Sequence, residues 1–290
     1  MSSIIDQLLT VPQHLIPQHL ASQLVKRLSH VRNPTVKNFL IKRFLAAYDV
    51  NLDEALHSSS ADYEHFNALF TRKLKTDARP LPNDETTVCS PADGRLSQFG
   101  SIETDKLIQA KGRLFRVDEF LAQPSDPDGR YRDGYFATIY LAPNDYHRVH
   151  VPFDGEIVSA KFIPGRLFSV NHRTAQTVDR LFSRNERVLI EIQTIEFGRI
   201  MVVLVGALLV ASIGLEFFDM DSVIYEPKNH HITDLTITPD MRAVERGAGL
   251  GWFNMGSTVI LLFEKDRFEP NSELTIGQKI RMGASLGHAR

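Results

Sequence analysis

The stretch 252-WFNMGSTVILLF-263 decides how the chain is read. Its second half, 258-TVILLF-263, is a short unbroken apolar run opened by β-branched residues, the pattern of a strand buried on both faces. Gly256 and Ser257 stand at its mouth, a small polar corner in apolar surroundings, and Ser257 opens the last 34 residues. A hydroxyl at that point asks for a reason.

Working outward, comparable runs precede it: 135-YFATIYLA-142, 156-EIVSAKFI-163, 187-RVLIEIQTI-195 and 200-IMVVLVGA-207. Gly, Pro, Asn or Asp punctuates most of the gaps, and no helical pattern alternates regularly with the strands. The apolar run 200-IMVVLVGALLVASI-213 is too short to span a bilayer and reads as two buried strands hinged near Gly206. Helical patterns gather at the N-terminus. The expected class is α+β, with N-terminal amphipathic helices followed by an antiparallel-rich β barrel or sandwich. The expected division is a helical region over 1–78 and a β-rich catalytic domain over 79–290, joined through the proline-rich 79-RPLPND-84.

In the N-terminal region, Pro12 and Pro17 divide 3-SIIDQLLT-10 from the next helical pattern. Leu20, Leu24, Val25 and Leu28 share one helical face in 20-LASQLVKRLSH-30. A second helix is expected from Asn33 as cap and Pro34 in the first turn, with Val36, Phe39, Leu40 and Phe44 as its stripe. A third is expected over 61-ADYEHFNALFTRKL-74. Residues 1–48 carry Lys26, Arg27, Arg32, Lys37, Lys42 and Arg43 against Asp6. Two readings stand side by side: a helical cap docked on the core, or a basic amphipathic surface lying on anionic lipid.

A hydrophobic share of 43% with 23% charged residues is that of a globular protein, and a net charge of −2 gives nucleic acid no electrostatic hold. The single cysteine, Cys89, excludes an intramolecular disulfide. No secretory signal pattern opens MSSIIDQLLTVPQ.

Chemistry concentrates in 143-PNDYHRVHVP-152, where two prolines bracket Asp145, His147 and His150 and exclude a helix. Without a thiolate or a third clustered histidine, a structural zinc is not expected there. Imidazoles beside a β core suit acid–base work. Asp93, in a turn signalled by 91-PADGRL-96, is a candidate to orient one of them; the echo 152-PFDGEI-157 reads as a second turn of the same type. Asp, His and Ser in that order make a triad if the fold gathers them.

Two chemistries are open to these residues. As a hydrolase, Ser257 attacks a substrate carbonyl, although β-branched Thr258 and Val259 do not suit a nucleophile elbow. Alternatively the serine turns on its own backbone. Its hydroxyl attacks the Gly256 carbonyl and shifts the acyl group from nitrogen to oxygen. Elimination of that ester cuts the chain and leaves a residue that hydrolyses to a ketone, a pyruvoyl group at the new N-terminus. Such a ketone can form a Schiff base with an amine and accept the electrons released with carbon dioxide.

These residues carry a resemblance. Gly256-Ser257-Thr258, 145-DYHRVHVPFDG-155, 90-SPADG-94, 165-GRLFSVN-171, 182-FSRNERV-188 and 245-ERGAGLGWFNMGSTVILLF-263 together resemble the bacterial type of phosphatidylserine decarboxylase, from about residue 35 to the C-terminus. Met255 stands where that family most often has leucine, a change that keeps bulk and apolarity.

The resemblance implies cleavage between Gly256 and Ser257 into non-covalently associated chains of residues 1–256 and 257–290, with Ser257 as the pyruvoyl group. It implies a triad of Asp93, His150 and Ser257 for self-processing, and His147 for handling protons in decarboxylation. Asp145 has a catalytic or a loop-capping role, and 167-LFSVN-171 lines a headgroup pocket. The implied reaction converts phosphatidylserine to phosphatidylethanolamine and CO2 through a Schiff base, without metal or pyridoxal phosphate. The implied setting is peripheral, on an anionic membrane surface at the cytoplasmic face of the bacterial inner membrane, with a homodimer allowed. An Asp-His-Ser lipid hydrolase and a non-catalytic membrane-binding protein are the alternatives.

Overall fold

The computed structural model describes residues 12–15, 17–110, 113–122, 129–208, 212–216 and 231–290. The expected element over 3-SIIDQLLT-10 lies outside them. The strands that position the site are β1 (Gly94–Ser101), β2 (Tyr135–Leu141), β3 (Arg148–His150), β4 (Gly155–Ile163), β5 (Arg187–Gln193), β6 (Arg199–Val205), β7 (Ile213–Leu215), β8 (Gly249–Phe253) and β9 (Ser257–Phe263).

The main sheet runs β4-β5-β6-β9-β2-β1 with antiparallel pairing throughout. Every residue of β9 is buried, because the strand has a neighbour on each edge and a layer on each face. Alternation divides its side chains. Val259, Leu261 and Phe263 join Val188, Ile190, Val202 and Leu204 in one core, which Val149, Ile213, Leu250 and Phe253 of the small sheet β7-β8-β3 complete. Ile260 and Leu262 face a second core with Phe115, Phe120, Phe168 and Phe182. The result is an open sandwich; among the described residues no sheet closes into a barrel.

After β9 the chain stays woven into the fold. Lys279–Ile280 pairs with β1, and Ser285–Ala289 pairs with Thr87–Cys89 and with Phe268–Pro270.

The helices depart from expectation, each for a local reason. Helix α1 (Gln18–Ser29) forms, but it buries Gln18, Ser22 and Ser29 and leaves Leu20 and Leu24 64% and 68% exposed. The cause is polar docking. Gln18 Oε1 accepts the Leu167 N–H at 2.9 Å, and Gln13 Oε1 accepts the Ser169 N–H at 3.0 Å. Helix α2 (Pro34–Ala47) is capped by Asn33, whose Oδ1 accepts from Thr35 and Val36, as its sequence predicts. Its packing face is Ile41 with Leu40, Phe44 and Leu45, while Phe39 is 62% exposed. The third helix is α3 (Phe66–Phe70) alone, preceded by a 3-10 turn at Ser60–Asp62. His65 Nδ1 caps α3 by accepting the Ala68 N–H, and Leu74 is already extended in a bridge to Ala55. Among the described residues no helix is long and apolar enough to cross a membrane.

Candidate active site

Ser257 is fully buried at the head of β9, opposite Leu141 of β2. Its parity with Val259 and Leu261 turns its side chain into the sandwich interior. The hydroxyl has no hydrogen-bond partner there, an unusual cost for a buried polar group. The residues before it are anchored. Asn254 donates from Nδ2 to Ser212 Oγ at 2.6 Å and accepts the Asn67 amide at 2.8 Å, and Met255 packs on the cluster of Tyr63, Phe66 and Phe70. Gly256 is the link between anchor and strand. Its φ of +41° lies in the left-handed region, and a Cβ there would meet nothing within 4 Å, so conformation and not space requires glycine.

His147 is buried and stacks on Phe70, ring centroids 4.1 Å apart. Its Nε2 lies 3.0 Å from the Ala142 carbonyl, which can only accept, so Nε2 carries the proton and Nδ1 holds a bare lone pair. That Nδ1 has no partner. Burial, reinforced by the nearby Arg72 guanidinium, lowers His147 to about 3 and keeps it neutral. Ala142 adjoins Leu141, the cross-strand partner of Ser257, so this imidazole is fixed to the strand end that carries the serine. Asp145 shapes the same turn: its Oδ2 accepts the Ala142 N–H at 2.7 Å, and burial raises its carboxyl.

His150 is committed on both nitrogens. Nδ1–H donates to the Gly247 carbonyl at 2.8 Å, and Nε2 accepts the Tyr146 hydroxyl at 2.9 Å. Burial lowers its pKa, opposed in part by the Gly247 carbonyl. Asp93 lies near enough for its charge to act on His150, but its carboxylate is gripped by Arg79 and by the Met282 N–H. The structure thus brings Asp93 and His150 into one neighbourhood without linking them by a hydrogen bond, and Ser257 bonds to neither imidazole. The segment 167-LFSVN-171 is the seat of the N-terminal glutamines, with Leu167 and Phe168 fully buried.

Two residues gain importance that sequence reasoning does not single out. Arg72 is 4% exposed, bonds through Nη2 to the Asn144 and Asp145 carbonyls, and leaves Nε and Nη1 without partners. It borders two cavities, one of about 350 Å³ with Arg79, Asp93, Asp145 and Tyr146, the other of about 460 Å³ with His65, Trp252 and Asn254. Ser257 lines neither. Glu186 is the second, a buried carboxyl raised to about 8 by desolvation. In the sequence it stands within 182-FSRNERV-188, one of the stretches that carry the resemblance, where nothing local marks its carboxyl as buried. Among the described residues no group of three His, Cys, Asp or Glu side chains forms a metal set.

Comparison with known proteins bears on this arrangement. The family described as phosphatidylserine decarboxylase matches residues 66–288, and a model described as PSD matches residues 8–49. A phosphatidylserine decarboxylase proenzyme of Azotobacter vinelandii is 44% identical over 98% of this chain and 99% of its own length. The proenzyme of the same name from Legionella pneumophila is 40% identical over 97% and 98%. That of Nitrosococcus oceani is 42% identical over 97% and 91%. The matched region contains β9, Gly256, Ser257 and both histidines, and the chain belongs to the phosphatidylserine decarboxylase family and is a decarboxylase, an enzyme of the lyase class.

Proposed function

We propose that the chain is a proenzyme that cuts itself between Gly256 and Ser257, turns Ser257 into a pyruvoyl group, and decarboxylates phosphatidylserine to phosphatidylethanolamine. One observation carries this reading: a left-handed glycine delivers a buried, unpartnered serine hydroxyl to the head of a central strand. The residues fit the group. An enclosed apolar interior holds the serine, and a neutral imidazole with a bare Nδ1 is fixed to the same strand end. When formed, the pyruvoyl carbonyl supplies an electrophile for the substrate amine and a sink for the electrons released with CO2.

The chain's own residues divide the remaining work. His147 Nδ1 takes and returns protons, because it is the imidazole nitrogen left without a partner. Asp93 and His150, with Tyr146, act in self-processing beside it. Arg72, a buried cation with two unused donors at the junction of two cavities, receives the lipid's phosphate. The membrane reading of the N-terminal helices is supported by the outward Leu20, Leu24, Leu28 and Phe39 beside Arg27, Lys42 and Arg43. A cap docked through its apolar stripe would have buried those leucines. Peripheral attachment to an anionic leaflet, and residues 1–78 as the attaching region, belong to the same proposal.

Denaturing electrophoresis with intact mass tests the core of it. The wild-type chain gives fragments of 256 and 34 residues, the smaller with a blocked, borohydride-sensitive N-terminus, and Ser257→Ala stays whole. A wild-type chain that decarboxylates phosphatidylserine while uncut sinks the reading.

A further inference from the structure

Glu186 stands just before β5 and faces Gly206, whose N–H donates to the Glu186 carbonyl at 2.9 Å. On the other side, Thr258 pairs with Val205, so Ser257 falls beside Gly206 one register step further. Glu186 and Gly206, one residue beyond the ends of β5 and β6, and Ser257 at the head of β9 therefore share a single rung at the end of the main sheet. Parity sends the side chains of Glu186 and Ser257 to the same face, the interior shared by Val188, Leu204 and Val259.

Gly206 leaves a notch between them. A Cβ on Gly206 would meet Glu186 Cγ at 3.0 Å and Oε1 at 3.3 Å, so the carboxyl leans over the glycine, in the direction of the serine. Glu186 is 3% exposed and its Oε1 has no hydrogen-bond partner. Two unpartnered oxygens, one acidic and one hydroxylic, thus share one water-poor interior across a missing side chain.

We propose that Glu186, in its neutral form, is the hydrogen-bond donor that stabilises the Ser257 oxygen as the chain separates at Gly256. This rests on the self-cleavage reading above and assigns that reaction a residue. After the acyl shift, the oxygen joins the Gly256 acyl carbon to Cβ of residue 257. A base takes the Cα proton, and the Cα–Cβ double bond forms. The Cβ–O bond breaks with its electron pair remaining on oxygen, which leaves as part of the Gly256 carboxylate. Negative charge gathers on that oxygen away from water, where a fixed neutral donor lowers the barrier and a second carboxylate would raise it. Burial raises Glu186 to about 8, so it keeps its proton at neutral pH. The proton is shared and not surrendered, since Glu186 is a weaker acid than the conjugate acid of the departing Gly256 carboxylate.

The test is the rate of self-cleavage, followed by pulse-labelling in cell-free translation and a chase in buffers from about pH 6.5 to 9.5, read by electrophoresis and intact mass. Wild type slows as pH rises through about 8, as the donor is lost. Glu186→Gln keeps a donor without a titrating proton, so it cleaves near the wild-type rate at pH 7 and loses the alkaline decline. Glu186→Leu slows cleavage about tenfold or more at every pH. Melting of both variants in a Ser257→Ala background, where no cleavage intervenes, checks the fold. If Glu186→Leu does not fold, the Glu186→Gln profile alone decides. A Glu186→Leu chain cleaving at the wild-type rate, or a Glu186→Gln chain retaining the alkaline decline, overturns the role of Glu186. A wild-type chain that never cleaves overturns the self-cleavage reading itself.

Discussion

Asp93 gives both carboxylate oxygens to Arg79, Oδ1 to Nε at 2.8 Å and Oδ2 to Nη2 at 2.5 Å, and Arg79 also holds Glu54 at 2.7 Å. The pair ties the turn before β1 to the segment after the helical region. Both side chains are nearly buried, at 8% and 11% exposure, so the pair is little screened by solvent. Arg79→Met should lower unfolding stability by about 3 kcal/mol, since it leaves the nearly buried Asp93 without its counter-charge, while Glu54 keeps Arg281 at 2.9 Å. Adding Asp93→Asn should cost less than the sum of the single changes, as measured by denaturant unfolding in a Ser257→Ala background.

Gly256 permits a clean separation of conformation from packing. Gly256→Ala introduces a methyl that touches nothing, so its cost is the strain of a left-handed φ, about 1 kcal/mol. The chain should fold and cleave more slowly. Gly256→Asn, which tolerates that region better, should recover part of the rate in a cleavage time course.

His147 should make the folded chain sensitive to acid. Its pKa is about 3 when folded against an ordinary 6.5, so the unfolded chain binds more protons between those values. The stability it supports is fully present above about 6.5 and is lost as pH falls towards about 3. His147→Gln should remove that component, on the order of a few kcal/mol, from the pH dependence of the Ser257→Ala melting curve.

The outward leucines predict a binding defect without a folding defect. Leu20→Gln, Leu24→Gln and Phe39→Gln together should weaken binding to anionic liposomes at least about tenfold, given about 1.5 kcal/mol or more for each apolar side chain buried. Melting temperature and self-cleavage should hardly move, because these side chains are solvent-exposed. Deleting residues 1–30 should also weaken binding, but it removes the Gln18 contact to Leu167 as well. Unchanged sedimentation of the triple variant with vesicles would refute the membrane role of this face.

Arg72→Met tests the phosphate anchor. It should raise KM for phosphatidylserine by about tenfold or more while leaving self-cleavage intact, because charged hydrogen bonds of this kind contribute about 1.5–3 kcal/mol.

Much of the fold could be read from local pattern, and the errors share a cause. The β9 run and its partners are apolar enough to be recognised alone, and Asn33-Pro34 announces its helix through backbone chemistry that tertiary contacts do not override. Helix α1 misleads because its stripe predicts a buried face, whereas Gln18 docks the opposite face on Leu167, some 150 residues away, and Gln13 in the turn before the helix holds Ser169. Residues 71–74 leave the expected helix to bridge Ala55. The candidate residues Ser257, His147, His150, Asp93 and Asp145 stand out by type and spacing. Glu186 and Arg72 do not, since their meaning lies in strand register and in donors left unused, neither of which local sequence encodes.

The weaving of residues 257–290 through four pairings with the preceding chain has a thermodynamic corollary. For a chain severed at Gly256, that segment is a separate molecule held by its neighbours, and dissolving the sandwich releases two solutes instead of one. Reassembly then obeys mass action, and the midpoint of denaturation shifts with protein concentration. Only the uncut polypeptide can thread β9 between β6 and β2 as an intramolecular event, so severance at Gly256 would fix an architecture that the two pieces, once parted, have little power to rebuild.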